Sequence, residues 1–348
     1  MIQRCTRPIR FATRVLVALS FLSLGQPVSA ANVAGDLKIF VLNIGQGDAI
    51  LIVCPHGTHQ MLIDAGARGY PNSQPSFQAQ LQALMGTDHT LEVVVSSHPH
   101  EDHVGGLEWV LSTFKVKKLI DSGFPYTSTF AGILKKAKAQ VAAGTLKHFK
   151  AKDFPPSHVA DFCTATNVKA ELLIPDGYGP SSNKNNVSVV VLVTYNTQKF
   201  LFTGDAEKKE ENLLLQDPGT ASRLQNVTFY KVGHHGAETS TTPSFLSAIK
   251  PSFAAVSSGC KNVAKNKGYR HPRVATLDAL DATIPGGGQD SRLLQAGKEA
   301  KGQWTTTEIH RGMYATSADG TFVIVANGTT ILKQTQAVTG AQPSCPTN

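Results

Sequence analysis

The sequence predicts an α/β fold in which two β-sheets lie face to face and helices cover their outer faces. Three observations predict it. Apolar, β-branched runs bounded by glycine, proline and asparagine recur from Leu37 to Ala326 and alternate with helical stretches. Three of these runs stop at histidines or an aspartate, as strands do when they deliver side chains to a site. No internal repeat or low-complexity segment interrupts the pattern.

The first thirty residues stand apart. Arg4, Arg7, Arg10 and Arg14 make a positive n-region, Val15 to Leu24 a short apolar h-region, and Val28-Ser29-Ala30 ends in small residues. This is the pattern of a secretory signal peptide cleaved after Ala30. Its apolar run falls short of the ~20 residues that span a membrane, so the expectation is an exported protein, periplasmic or secreted, with no stable membrane anchor after processing. Without those four arginines the formal +8 falls to +4, 29 basic side chains against 25 acidic. Mild basicity is compatible with a polyanionic substrate and does not specify one. Cys54, Cys163, Cys260 and Cys345 then permit two disulfides, with three connectivities open. The lack of a C-x-x-C pair argues against a cysteine zinc site or a redox motif. With 41% hydrophobic and 17% charged residues the 348-residue chain can bury a full core. One domain is placed at 36–333, followed by a loosely ordered tail at 334–348 unless Cys345 ties it down.

Leu37 to Asn43, Ala49 to Cys54 and Gln60 to Asp64 read as three strands joined by tight turns at Ile44-Gly45-Gln46-Gly47-Asp48 and Pro55-His56-Gly57-Thr58, the start of an antiparallel sheet. Gln78 to Leu84 suits a short helix and Leu91 to Val95 a buried strand. Leu107 to Phe114 suits a helix and Val116 to Asp121 a strand. Ala131 to Ala143 suits an amphipathic helix whose Lys135, Lys136 and Lys138 form a solvated face. Glu171 to Pro175 is a strand, and Val187 to Tyr195 with Lys199 to Thr203 a hairpin pair. Thr228 to Gly233 is a further strand, 283–302 an irregular insertion, and Thr321 to Ala326 a final strand.

The chemistry gathers at strand ends. Ser96-Ser97-His98-Pro99-His100-Glu101-Asp102-His103 follows the strand Leu91 to Val95. Neutral imidazole and carboxylate are the ligands that zinc and manganese accept. His98 and His100, two apart on an extended chain, point to one side, and Asp102 and His103 follow in a loop able to fold back towards a second ion. Phe200 to Thr203 delivers Asp205 past Gly204, where a carboxylate can bridge two cations. Thr228 to Gly233 ends at His234-His235-Gly236. Consecutive side chains on an extended chain point to opposite sides, so one of these histidines is a ligand and the other faces substrate.

The spacing H-x-H-x-D-H resembles the signature of the metallo-β-lactamase superfamily. Asn43 to Ala49, Ile63-Asp64-Ala65-Gly66, Asn185-Asn186-Val187-Ser188, Thr203-Gly204-Asp205, Lys231 to Gly236, and Tyr269-Arg270-His271-Pro272 resemble, in order, the hydrolase domain of the DNA-uptake protein ComEC. This resemblance covers about residues 37 to 330. It implies an αββα four-layer sandwich and a dinuclear metal-dependent hydrolase using two divalent ions, zinc or manganese. His98, His100 and Asp205 would hold one ion, and Asp102, His103, Asp205 and His235 the other. Asp102 would orient the water nucleophile, and His234 or His271 would donate to an oxyanion or leaving oxygen. Asp64 would support a ligand histidine; Asp48 and Asn186 would either do likewise or form turns. Many superfamily members place a further ligand histidine where Asn185-Asn186-x-Ser188 stands here. Arg270 replaces a glycine and is either a phosphate fork or a surface arginine. The resemblance implies a phosphodiester substrate, DNA foremost. Its rivals are a phosphorylcholine-type ester of wall polymers and a non-catalytic nucleic-acid-binding module. No channel helices accompany the domain, so a free-standing exported protein without a protein partner is expected.

Overall fold

The computed structural model describes residues 35–68, 77–124, 127–155, 157–164, 166–263, 265–284, 291–299, 302–310, 312–334 and 345. The expected signal peptide lies outside the described residues. In chain order the strands are β1 (Leu37–Val41), β2 (Ile50–Val53), β3 (Gln60–Ile63), β4 (Thr90–Val95), β5 (Lys115–Asp121), β6 (Lys147–Lys150), β7 (Ser157–Val159), β8 (Val168–Leu173) and β9 (Val190–Tyr195). They continue as β10 (Gln198–Phe202), β11 (Phe229–Lys231), β12 (Phe253–Val256), β13 (Arg292–Gly297), β14 (Trp304–Ile309), β15 (Met313–Ala315), β16 (Phe322–Ala326) and β17 (Ile331–Gln334).

One sheet has the order β17-β16-β1-β2-β3-β4-β5-β6, the other β15-β12-β11-β10-β9-β8-β7. The expected meander is present: β1 pairs antiparallel with β2, and β2 with β3. From β3 the first sheet turns parallel, through β4 and β5 to β6. In the second, β9 and β10 form the expected antiparallel hairpin, and β10, β11, β12 and β15 run parallel.

Side-chain alternation builds the layers. Ile50 and Ile52 of β2 enter the core between the sheets, together with Leu172 of β8, Val191 of β9 and Phe200 of β10. Leu51, between them, faces the other way onto Phe77, Leu81, Val110 and Phe130 of the helices Phe77–Met85, Leu107–Thr113 and Ser128–Ala142. On the far side Leu192, Leu201 and Tyr230 pack against Leu214, Phe245, Leu277 and Leu280 of the helices Lys208–Gln216, Pro243–Ile249 and Val274–Thr283. These layers are helix, sheet, sheet and helix, the expected αββα sandwich. Lys135, Lys136 and Lys138 are exposed, as a solvated helix face requires. Cys54 at the end of β2 is bonded to Cys163 before β8, joining the two sheets, and Cys260 is bonded to Cys345.

Three expectations change. The irregular insertion expected at 283–302 contains β13, which pairs antiparallel with β14; residues 285–290 lie outside the description. Asp102 and His103 sit in a one-turn helix, Glu101–Val104, not in a loop. β16 is followed by β17, which pairs with it at the sheet edge.

Candidate active site

The site lies where parallel strands of both sheets end, the place where α/β sheets bind ligands. Asp64 follows β3, His98 to His103 follow β4, Asp205 follows β10, His234 and His235 follow β11, and Ser257 follows β12. Two glycines let these loops interlock. Gly47 has φ +140°, and a Cβ there would lie 2.3 Å from the Asp102 carbonyl oxygen. Gly204, φ +53°, faces Ser97 so closely that a Cβ would lie 2.7 Å from the serine Cβ.

Donor atoms converge: His98, His103 and Asp205 lie within 4.8 Å of one another, and so do Asp102, His103 and His235. His98 Nε2 is 3.0 Å from His100 Nδ1 and 3.5 Å from Asp205 Oδ2. His103 Nε2 is 3.2 Å from His235 Nε2 and 3.2 Å from Asp205 Oδ1. His235 Nε2 is 3.5 Å from both Asp102 Oδ2 and Asp205 Oδ1. Donors bonded at ~2.0–2.1 Å to one tetrahedral ion stand roughly 3.3–3.5 Å apart, so these separations fit divalent cations. Asp205 turns one oxygen to each set, and its buried Oδ1 takes part in no hydrogen bond.

Hydrogen bonds behind the rings fix their tautomers. The Ser97 hydroxyl donates to Asp64 Oδ2 at 2.7 Å and accepts from His98 Nδ1 at 3.1 Å. His103 Nδ1 donates to the same Asp64 oxygen at 2.7 Å. His235 Nδ1 donates to the Ser257 carbonyl at 3.0 Å. Three Nε2 lone pairs are thereby turned inward, and Asp64 lies behind His103 directly and behind His98 through Ser97.

Electrostatics sort the groups. Burial holds His98 and His100 below the usual imidazole range, the neutral form that offers a lone pair. At His103 and His235 burial acts the same way, but carboxylates outweigh it. Asp205 and Asp64 lift His103 well above its ordinary value, and Asp205 and Asp48 lift His235 to about 9. Burial opposes ionisation of Asp205 and Asp102, yet the neighbouring histidines hold both below the carboxylate range. This concentration of carboxylate charge is what a cation site requires.

The histidine pair departs from the extended-chain expectation. His234 and His235 have φ of 45° and 54°, so both rings face the same cleft. His235 alone reaches the donor sets. His234 Nε2 stays 3.8 Å from Asp205 Oδ2, while its Nδ1 lies 3.1 Å from Glu207 Oε1 and from Thr239 Oγ1. His271 is reached by Gln46, whose Nε2 lies 3.4 Å from the ring Nδ1. Burial, with His235 and His234 nearby, pulls His271 down to about 3.

A cleft of about 580 Å³ opens over the donors, lined in part by Gln46, His100, Asp102, Asn185, Lys265, Tyr269, His271 and Arg273. Two expected residues are displaced. Asn186 turns away, its Oδ1 accepting from the Glu210 backbone at 3.3 Å; Asn185 takes the place in the cleft. Arg270 caps the helix Asn266–Tyr269 in the left-handed conformation, and Arg273 supplies the guanidinium of the cleft wall. Lys231, part of a matching segment but given no role by the sequence, is placed behind the site. Its fully buried ammonium lies 2.9 Å from Asp48 Oδ2, while Asp48 Oδ1 is 3.3 Å from His235 Nδ1. A lysine in the apolar run Phe229-Tyr230-Lys231-Val232 was the signal available.

The family model described as "Metallo-beta-lactamase superfamily" matches residues 42–259, well over half of the chain. The chain belongs to that superfamily. His271 and Tyr269 lie beyond the superfamily match. ComE operon protein 3 of Bacillus subtilis (strain 168) is 28% identical over 257 residues, which are 70% of this chain and 30% of that protein. Recombination protein 2 of Haemophilus influenzae is 28% identical over 243 residues, 70% of this chain and 26% of that protein. The chain thus spans less than a third of either relative. Among solved superfamily-like structures, a diphosphatase from the PhnP family has a TM-score of 0.39 at 11% identity, covering 79% of this chain and 98% of that one. Human tRNase Z, short form, has a TM-score of 0.37 at 12% identity, covering 63% and 90%.

Proposed function

We propose that this superfamily member is an exported phosphodiesterase, with DNA or a related nucleic acid as substrate, that works with two divalent ions, zinc or manganese. The observation that carries the reading is Asp205, whose two oxygens each complete a His/Asp donor set beneath one open cleft. His98, His100 and Asp205 would hold one ion, and Asp102, His103, Asp205 and His235 the other. Such ions supply Lewis acidity, lowering the pKa of water towards neutrality and neutralising charge on phosphoryl oxygens.

The chain's own groups do the rest. Asp102 lines the cleft, where its carboxylate would orient the attacking water. Gln46 donates to His271 Nδ1, so the neutral ring carries its proton on Nε2 and offers it as a hydrogen bond to a phosphoryl oxygen. His234 is held through Nδ1 by Glu207 and Thr239, and its Nε2 lies 3.4 Å from Asn185 Nδ2, which fixes the ring in the cleft wall. Asn185 stands in the interval where many superfamily hydrolases have a ligand histidine, and its Nδ2 lies 2.9 Å from Glu207 Oε1. The buried Asn185 Oδ1 takes part in no hydrogen bond. Asp48, pinned by Lys231, backs His235. The nucleic-acid preference draws on the resemblance to the DNA-uptake protein and on the name of one relative, Recombination protein 2. The mild positive charge is compatible with it. Among the described residues no helix is long and apolar enough to cross a membrane; export rests on the first thirty residues.

The test is hydrolysis of bis-p-nitrophenyl phosphate and of single- and double-stranded DNA by mature protein stripped of metal and reloaded with zinc or manganese. Turnover that needs the metal and is lost in Asp102→Ala is the expected result. A protein that binds two ions and cleaves no phosphodiester refutes the phosphodiesterase reading.

A further inference from the structure

Tyr269 is one of four large apolar or aromatic side chains left exposed among the described residues, at 51%. Unlike Val141, Val263 and Leu293, it lines the cleft. Its ring lies 5.8 Å from that of His271, with only 19° between the planes. His271 in turn lies 6.3 Å from the ligand-set residue His235, at 26°. Three rings with 19° and 26° between successive planes therefore run from His235 to Tyr269, whose side chain is half exposed in the cleft wall. Hydrophobic burial opposes leaving an aromatic ring so exposed, and the packing of His271 behind it fixes its plane.

The rim charges bear on what this face receives. Glu101 is paired with Lys265 at 2.9 Å, and Glu238 with Arg273 at 3.4 Å. These two carboxylates, which line the same cleft as Tyr269, are thus each balanced by a cation, so they offer no surplus negative charge to select a quaternary ammonium. A flat, uncharged ring is the better match, because every nucleobase has a π-face and stacks without regard to sequence. We infer that Tyr269 forms a stacking subsite for the nucleobase attached to the phosphate held over the donor sets. This rests on the phosphodiesterase reading and specifies its substrate as a nucleotide with an unpaired base, since a base inside a duplex has no open face to offer.

Calorimetric titration of the zinc-loaded protein with deoxyadenosine 5′-monophosphate and with 2-deoxyribose 5-phosphate tests the subsite without turnover. The base is expected to tighten binding about tenfold in the wild type. Tyr269→Ala should bind both ligands alike, and Tyr269→Phe should keep the preference. Equal binding of the two ligands by the wild type, no binding of either, or a preference that survives in Tyr269→Ala overturns the proposal. Hydrolysis of bis-p-nitrophenyl phosphate by the same preparation judges the phosphodiesterase reading separately.

Discussion

Glu210 is fully buried in the helix Lys208–Gln216, beneath the turn that carries Asn185 to Ser188. Its Oε2 accepts from the Ser188 backbone at 3.0 Å, the Ser188 hydroxyl accepts from the Asp205 backbone at 3.2 Å, and Oε1 takes no partner. Burial pushes its carboxyl well above the ordinary range. A carboxyl raised in the folded state contributes fully below the unfolded pKa of ~4.3 and loses that contribution as pH rises through the folded value. Glu210→Gln keeps the acceptor and removes the charge. It should melt higher than the wild type at pH 8, and the two should converge near pH 4. Equal melting temperatures at both pH values would show that the buried carboxylate is not the cost argued here. At this scale the candidate donors were readable because they follow the apolar strands β4, β10 and β11. Lys231, Asn185 and Arg273 were not, because their roles depend on which loop another strand places opposite them.

At the scale of elements, hydrophobic runs revealed the strands of the sheet centres, such as β4 and β9, where both faces are buried. The edges were harder to read. β6 is Lys147-His148-Phe149-Lys150, and β14 alternates through Thr305, Thr306, Thr307 and Glu308, so polar sequence conceals pairing that only a partner strand creates. The left-handed backbone at His234 and His235 was equally hidden, since neither residue type demands it. Loop interlock gives the prediction at this scale. Gly47→Ala must relieve a 2.3 Å clash with the Asp102 carbonyl, so it should lower metal-supported turnover per folded molecule about tenfold or more. Gly86→Ala is the control, because φ is also positive there but a Cβ meets no atom within 4 Å. Comparable losses in both variants would rule out a role for the Gly47–Asp102 contact.

For the whole molecule, the αββα sandwich explains why six ligand-type residues from three loops meet. Parallel β3 and β4 in one sheet and β10, β11 and β12 in the other all end at the same side of the structure. The Cys54–Cys163 bond ties the two sheets to each other. Asp205 is then the carboxylate that faces the histidines of both proposed ion sites, and the metal content of Asp205→Asn after dialysis against zinc tests this most directly. Two ions per wild-type chain and fewer than one in the variant, with folding unchanged by circular dichroism, is the result expected. A variant that still holds two ions would contradict a centre built around a shared aspartate.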